Sequence, residues 1–131
     1  MRLLLDTHVW LWSHLDPDRL TAQVSSALED GGNELWLSPI SVWELTVLVE
    51  KGRIKLTTSV AEWVENALRL APMNEALITH QIALETTRLG IAHRDPADRL
   101  LAATTRVLDL TLVTADHRLI GVEGLSVLPC C

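Results

Sequence analysis

Along this chain, short unbroken apolar runs alternate with longer stretches in which apolar residues return every three or four positions. The first run, residues 2–5, stops at Asp6-Thr7 and predicts a buried strand that delivers a polar pair at its carboxyl end. Residues 8–15 can form a short helix, and Leu20, Val24, Ala27 and Leu28 recur at helical spacing until Gly31-Gly32. Residues 34–37 predict a second strand. Ser38-Pro39 then supplies an N-cap and a first-turn proline for a helix that carries Glu44 and ends near Lys51-Gly52. Ile40, Trp43, Val47 and Leu48 share an apolar face of that helix. Ser59, with Glu62 three residues on, reads as a capping box for a helix to about Leu70, striped by Val60, Val64 and Leu68.

Residues 71–73 predict a short strand, and Asn74 predicts a cap for a helix through Ile78, Ile82, Ala83 and Leu89 that stops at Gly90. His93-Arg94-Asp95-Pro96 is a turn, from which a helix runs through Leu100, Leu101 and Thr104 to about Leu108, with Asp98 in its first turn. Residues 110–114 and 125–128 predict two more strands, the last at a sheet edge before Pro129. Strands and helices alternate, so the fold class is α/β. The expectation is one domain over residues 1–131: a mainly parallel sheet of four to five strands covered by helices on both faces, with a site near the carboxyl ends of the strands.

Composition narrows this picture. With 131 residues, 48% of them hydrophobic, the chain can bury a substantial core without disulfides. No apolar run approaches the roughly 20 residues of a membrane helix, and Asp6 comes too early for a signal peptide, so the expectation is a cytoplasmic protein with no membrane partner. Cys130 and Cys131 are adjacent at the carboxyl end and read as incidental. A net charge of −6 argues against broad adhesion to nucleic acid, so any such function rests on local chemistry. Phe and Tyr are absent, and stacking on bases would fall to Trp10, Trp12, Trp36, Trp43 or Trp63, most of which read as core or interface.

The candidate chemistry lies in the acids. Asp6 and Asp116 each follow an apolar run, so if both runs are central parallel strands their carboxylates emerge at one edge of the sheet. Glu44 sits in the apolar segment Val42-Trp43-Glu44-Leu45, where an unpaired carboxylate is costly and requires a partner, solvent or metal. Asp98, in the first turn of its helix, points toward the same edge. Four convergent carboxylates repel one another, and divalent cations such as Mg²⁺ or Mn²⁺, which favour oxygen ligands, offset that charge. Asp95 competes with Asp98 for this role, but its place before Pro96 suits it to capping backbone N–H groups.

Leu5-Asp6-Thr7-His8, Ser41-Val42-Trp43-Glu44, His93-Arg94-Asp95-Pro96-Ala97-Asp98-Arg99-Leu100-Leu101 and Val113-Thr114-Ala115-Asp116 together resemble the PIN-domain ribonucleases, especially the VapC-type toxins of bacterial toxin-antitoxin pairs. The resemblance spans nearly the whole chain and implies a three-layer α/β/α PIN-like domain. Asp6, Glu44, Asp98 and Asp116 match the family's acidic quartet, and Thr7 and Thr114 its supporting hydroxyls. His8 stands where many PIN domains have Asn, which leaves its role open. The implied activity is Mg²⁺- or Mn²⁺-dependent hydrolysis of RNA phosphodiester bonds, in which metal activates water and neutralises charge on the phosphate and the departing 3′ oxygen. The implied partners are an RNA substrate, a second copy of the chain in a homodimer, and a small VapB-like antitoxin.

Bland readings stand beside these. Arg94 and Arg99 either hold RNA phosphate or pair with nearby acids. Lys51, Arg53 and Lys55 read as a solvated face rather than an RNA-steering patch. The five histidines show no zinc-like spacing. Trp10 and Trp12 suit a core, a dimer contact or an inhibitor groove. Two functional rivals stay open: a noncatalytic PIN-like module that binds RNA or protein, and a phosphoryl-transfer domain with Asp6 as nucleophile. The second rival lacks the usual Asp two residues on, since His8 occupies that place.

Overall fold

The structure is a computed structural model that describes residues 1–90 and 95–131; His93 and Arg94 of the expected turn lie outside the described residues. Five strands form one parallel sheet: β1 (Arg2–Leu5), β2 (Glu34–Leu37), β3 (Asn74–Glu75), β4 (Thr111–Thr114) and β5 (Val127–Pro129), in the order β3-β2-β1-β4-β5. The helices are α1 (Thr7–Leu15), α2 (Ala22–Glu29), α3 (Pro39–Glu50), α4 (Val60–Leu70), α5 (His80–Glu85) and α6 (Pro96–Val107). Short 3-10 turns follow α1 and β4, at Pro17–Arg19 and His117–Leu119.

The period-two alternation of the central strands divides the core in two. Leu3 and Leu5 of β1 and Val113 of β4 pack with Val9, Trp10 and Leu11 of α1, Val24 of α2, Leu45 of α3 and Ala67 of α4. Leu4 and Leu112 point to the opposite face and pack with Leu101 of α6 and with Leu119. Both faces of β1 are therefore fully covered, which accounts for its unbroken apolar run. Trp10 is the largest fully buried side chain, set edge-on to Trp63 with ring centroids 5.4 Å apart.

Several expectations shift. The strand expected at residues 71–73 lies instead at Asn74–Glu75, where Asn74 and Glu75 pair with Trp36 and Leu37 of β2. Asn74 therefore caps no helix; Thr79 does, its Oγ1 accepting from the N–H of Ile82 at 3.2 Å. The last strand is displaced to Val127–Pro129, although it is an edge strand as expected. Cys130 is a core residue and not incidental. Its N–H extends the β4–β5 pairing to the carbonyl of Thr114 at 2.8 Å, and burial pushes its thiol up to about 12, so it stays protonated among apolar neighbours. Among the described residues, no helix is long and apolar enough to cross a membrane.

The largest correction concerns α3. Its fully buried residues are Ser41 and Leu45; of the face shared by Ile40, Trp43, Val47 and Leu48, Ile40 and Leu48 pack partly against the two cores while Trp43 is 57% exposed. The reason lies in another element: Ser41 Oγ is 2.9 Å from Thr7 Oγ1, and this hydrogen bond holds a polar position inward against α1. Leu45→Ala should therefore cost about 2–5 kcal/mol by cavity formation, whereas Trp43→Ala should change stability by less than about 1 kcal/mol. Urea unfolding of the two variants measures the contrast, and equal losses would return Trp43 to the core.

Candidate active site

Parallel pairing of β1 with β4 in the register Leu5 to Val113 ends both strands at one level. Asp6 continues that pairing, its N–H donating to the carbonyl of Val113 at 2.9 Å, so the residues after each strand emerge side by side. The N-terminus of α3 follows β2 directly, capped by Ser38, whose Oγ accepts from the N–H of Ile40. In α6 the cap is Asp95, whose Oδ1 accepts from the N–H groups of Ala97 and Asp98. These helix starts meet the two central strand ends around a cleft of about 390 Å³. Asp6, Glu44, Asp98 and Asp116 all line it, with His8, Trp12, Asp95 and Arg118.

Asp6 is the most enclosed of the four, at 7% exposure. Its Oδ1 accepts from the N–H of Thr7 at 2.7 Å, and its Oδ2 accepts from Thr114 Oγ1 at 2.6 Å. The N–H of Asp116 donates in turn to Thr114 Oγ1 at 3.0 Å, so one hydroxyl ties the first acid to the strand end that carries the last. Thr7 Oγ1 donates to Glu44 Oε1. Thus each of two buried threonines fixes one acid.

Burial raises the Asp6 carboxyl above its ordinary range; Thr114, Thr7 and His8 pull it back, and the negative charge of Asp116 adds to the rise. Glu44 is raised for the same leading reason, with Thr7 and His8 opposing and with Asp6 and Asp95 as repelling neighbours. Negative charge is therefore costly here unless a cation shares the cleft. The donors present, carboxylate oxygens, suit a hard divalent ion better than a soft one. Among the described residues, no three of these acids, histidines or cysteines stand close enough to one point to hold an ion as they are. Asp116 shows why: its two oxygens accept from Arg118 Nε and Nη2, each at 3.0 Å, and Oδ1 also caps the 3-10 turn through the N–H of Arg118.

The remaining expected residues separate. His8 faces the cleft and contacts Trp12, ring centroids 5.8 Å apart, while Arg19 lies over the same Trp12 at 4.3 Å. Arg99 does not line the cleft. Its Nη2 donates to the carbonyl of Thr86 at 2.9 Å, which ties α6 to the end of α5. Arg94 is outside the described residues. Sequence reasoning passed over Ser41 and Arg118; the signals were a small polar residue one turn before Glu44 and a cation two residues after Asp116.

The PIN domain family model matches residues 3–125. Ribonuclease VapC22 of Mycobacterium tuberculosis is 36% identical over 120 residues, covering 89% of this chain and 88% of that protein. The fold is similar to a chain in the crystal structure of VapBC2 from Rickettsia felis bound to a promoter DNA fragment, with TM-score 0.73, 16% identity and complete coverage of both chains. It is also similar to a chain of a toxin-antitoxin complex from Klebsiella pneumoniae, with TM-score 0.64 and 23% identity over 96% of this chain and 95% of that one. The chain belongs to the PIN-domain family, within its VapC ribonuclease branch.

Proposed function

We propose that the protein is an endoribonuclease dependent on Mg²⁺ or Mn²⁺ and that Asp6, Glu44, Asp98 and Asp116 hold the ion. The observation that carries this reading is the meeting of these four carboxylates in one cleft at the carboxyl edge of the sheet. When bound, such an ion supplies Lewis acidity toward the phosphodiester and toward the water that attacks it. The chain supplies the fixed charge and its geometry. Thr7 and Thr114 anchor Asp6 and Glu44 by hydrogen bonds that also favour their ionised forms. His8 lies close enough to both for its charge to favour the same forms.

The same reading makes the protein the toxin of a toxin-antitoxin pair, silenced by a small VapB-like antitoxin and acting as a homodimer. Support comes from the VapC relative and from structural neighbours that are VapBC or toxin-antitoxin complexes.

Purified protein should cleave cellular RNA only when Mg²⁺ or Mn²⁺ is added. Asp6→Asn should lower the rate more than about 100-fold, and Thr114→Val, which removes only support, about 10- to 100-fold. Folded, metal-supplied protein that cuts no class of RNA would favour the noncatalytic binding module instead.

Proton linkage gives an independent check. A carboxyl raised in the folded state stabilises it while protonated; this contribution is complete below the unfolded value, ordinarily 3.8 for Asp and 4.5 for Glu, and is lost as pH rises through the folded value. Without divalent ions, the parent should therefore gain stability relative to Asp6→Asn as pH falls from 7 toward 4. At pH 7, Mn²⁺ should raise the melting temperature of the parent but scarcely that of Asp6→Asn. An equal rise in both would remove Asp6 from the ligand set.

A further inference from the structure

The face of α3 that carries Trp43 is not plain surface. Ile40, Trp43 and Val47 line an open groove of about 550 Å³, together with Pro96 of α6 and, from the carboxyl end of α3 onward, Lys51 and Arg53. His8, Glu44 and Asp95 line both this groove and the acidic cleft, so the two depressions adjoin. Charge changes sign along the path, from the carboxylates at one end to two cations at the other. Among the described residues, the side chains of Lys51 and Arg53 enter no ion pair, and both residues are exposed. Beside Glu44 on the same helix stands Trp43, which lines the groove and is 57% exposed, an unusual amount of aromatic surface next to a polar site.

We infer that this groove is a nucleotide subsite: a base of single-stranded RNA beside the scissile phosphate stacks on Trp43, and phosphates further along the strand pair with Lys51 and Arg53. The inference rests on the ribonuclease reading above. Stacking on an exposed aromatic face is available to every base and is the usual means of holding a single strand, while Lys and Arg neutralise its backbone. Spacing agrees with an extended strand, since Lys51 lies seven residues beyond Glu44, about 10 Å along the helix axis. Charge favours RNA over an apolar peptide: a chain of net charge −6 that lines a groove with two cations, neither in an ion pair among the described residues, is arranged for an anion. Lys55, the third member of the basic cluster, does not line the groove and has no part in the subsite.

The test uses Asp6→Asn protein, which binds without cutting, and a fluorescein-labelled single-stranded oligoribonucleotide of mixed sequence. Adding Trp43→Ala should weaken binding about tenfold, and Trp43→Phe should retain most of it. Adding Lys51→Ala with Arg53→Ala should lower the slope of log affinity against log salt by about 1.4, at roughly 0.7 per lost phosphate contact on a single strand. In the otherwise intact protein, Trp43→Ala should raise KM with little change in kcat. If the intact protein cuts RNA and these variants bind and cut as it does, the subsite is overturned while the nuclease reading stands. If the parent neither binds nor cuts any RNA, the nuclease reading itself has failed. Sedimentation of the Trp43→Ala protein separates a further case: lost self-association with unchanged RNA affinity would assign the groove to a second copy of the chain.

Discussion

The hydrogen bond from Thr114 Oγ1 to Asp6 Oδ2 joins two segments 108 residues apart in the chain, and the chemistry of the cleft depends on the register that allows it. A slip of one residue between β1 and β4 would turn every side chain of one strand to the other face of the sheet. Leu4 would exchange its core for that of Leu3 and Leu5, and Asp6 would point away from Thr114. Register is therefore enforced by two separate apolar cores, while the polar site takes its alignment from them. Parallel strands put both carboxyl ends at the same edge, and each connecting helix must begin there too. Asp98, in the first turn of α6, and Glu44, in the second turn of α3, reach the edge on helices rather than on strands.

That architecture concentrates negative charge in a place where it is poorly solvated. Four neutral donors to Asp6 and Glu44 would be the simplest remedy, and the fold provides part of it: one backbone N–H and two threonine hydroxyls. These bonds oppose the desolvation of the two acids without cancelling it, since both carboxyls stay above their ordinary range. The unmet remainder makes the cleft receptive to a cation. It also explains why a buried Ser41 is worth its place in α3, where an apolar residue would pack as well: its hydroxyl steadies Thr7, which holds Glu44.

How far the sequence could be read depended on whether the deciding contacts were local. Ser38, Ser59 and Asp95 announce their helices because a cap and its N–H partner are two or three residues apart. Asp6 and Asp116 could be placed at one edge because each ends an apolar run. By contrast, β3 is two polar residues long and exists through its pairing with β2, so nothing in Asn74 and Glu75 themselves marks a strand. The buried face of α3 was misread because the helix is apolar nearly all round. Ile40, Trp43, Val47 and Leu48 make as regular a stripe as the one through Ser41 and Leu45, and Thr7, 34 residues away from Ser41, helps to decide between them. Arg99 was ambiguous for the same kind of reason, its partner being a backbone carbonyl with no sequence signature.

The cleft is also uneven in how firmly its acids are held. Asp6 and Glu44 are tied to buried threonines, whose hydrogen bonds water cannot readily replace. Asp116 is tied to Arg118, a side chain 70% exposed on the rim, and solvent screens such a pair and offers the guanidinium other partners. One side of the site is thus prearranged and the other exchangeable. Were Asp116 and Asp6 to hold a divalent ion, as proposed, Arg118 would compete for the oxygens of Asp116, whereas no cation is paired with Asp6 among the described residues. Arg118, released from that pair, would remain on the lining of the cleft with the fork geometry that suits a phosphate. Binding of the ion and of an RNA backbone would then favour each other, because the first releases the cation that the second can use.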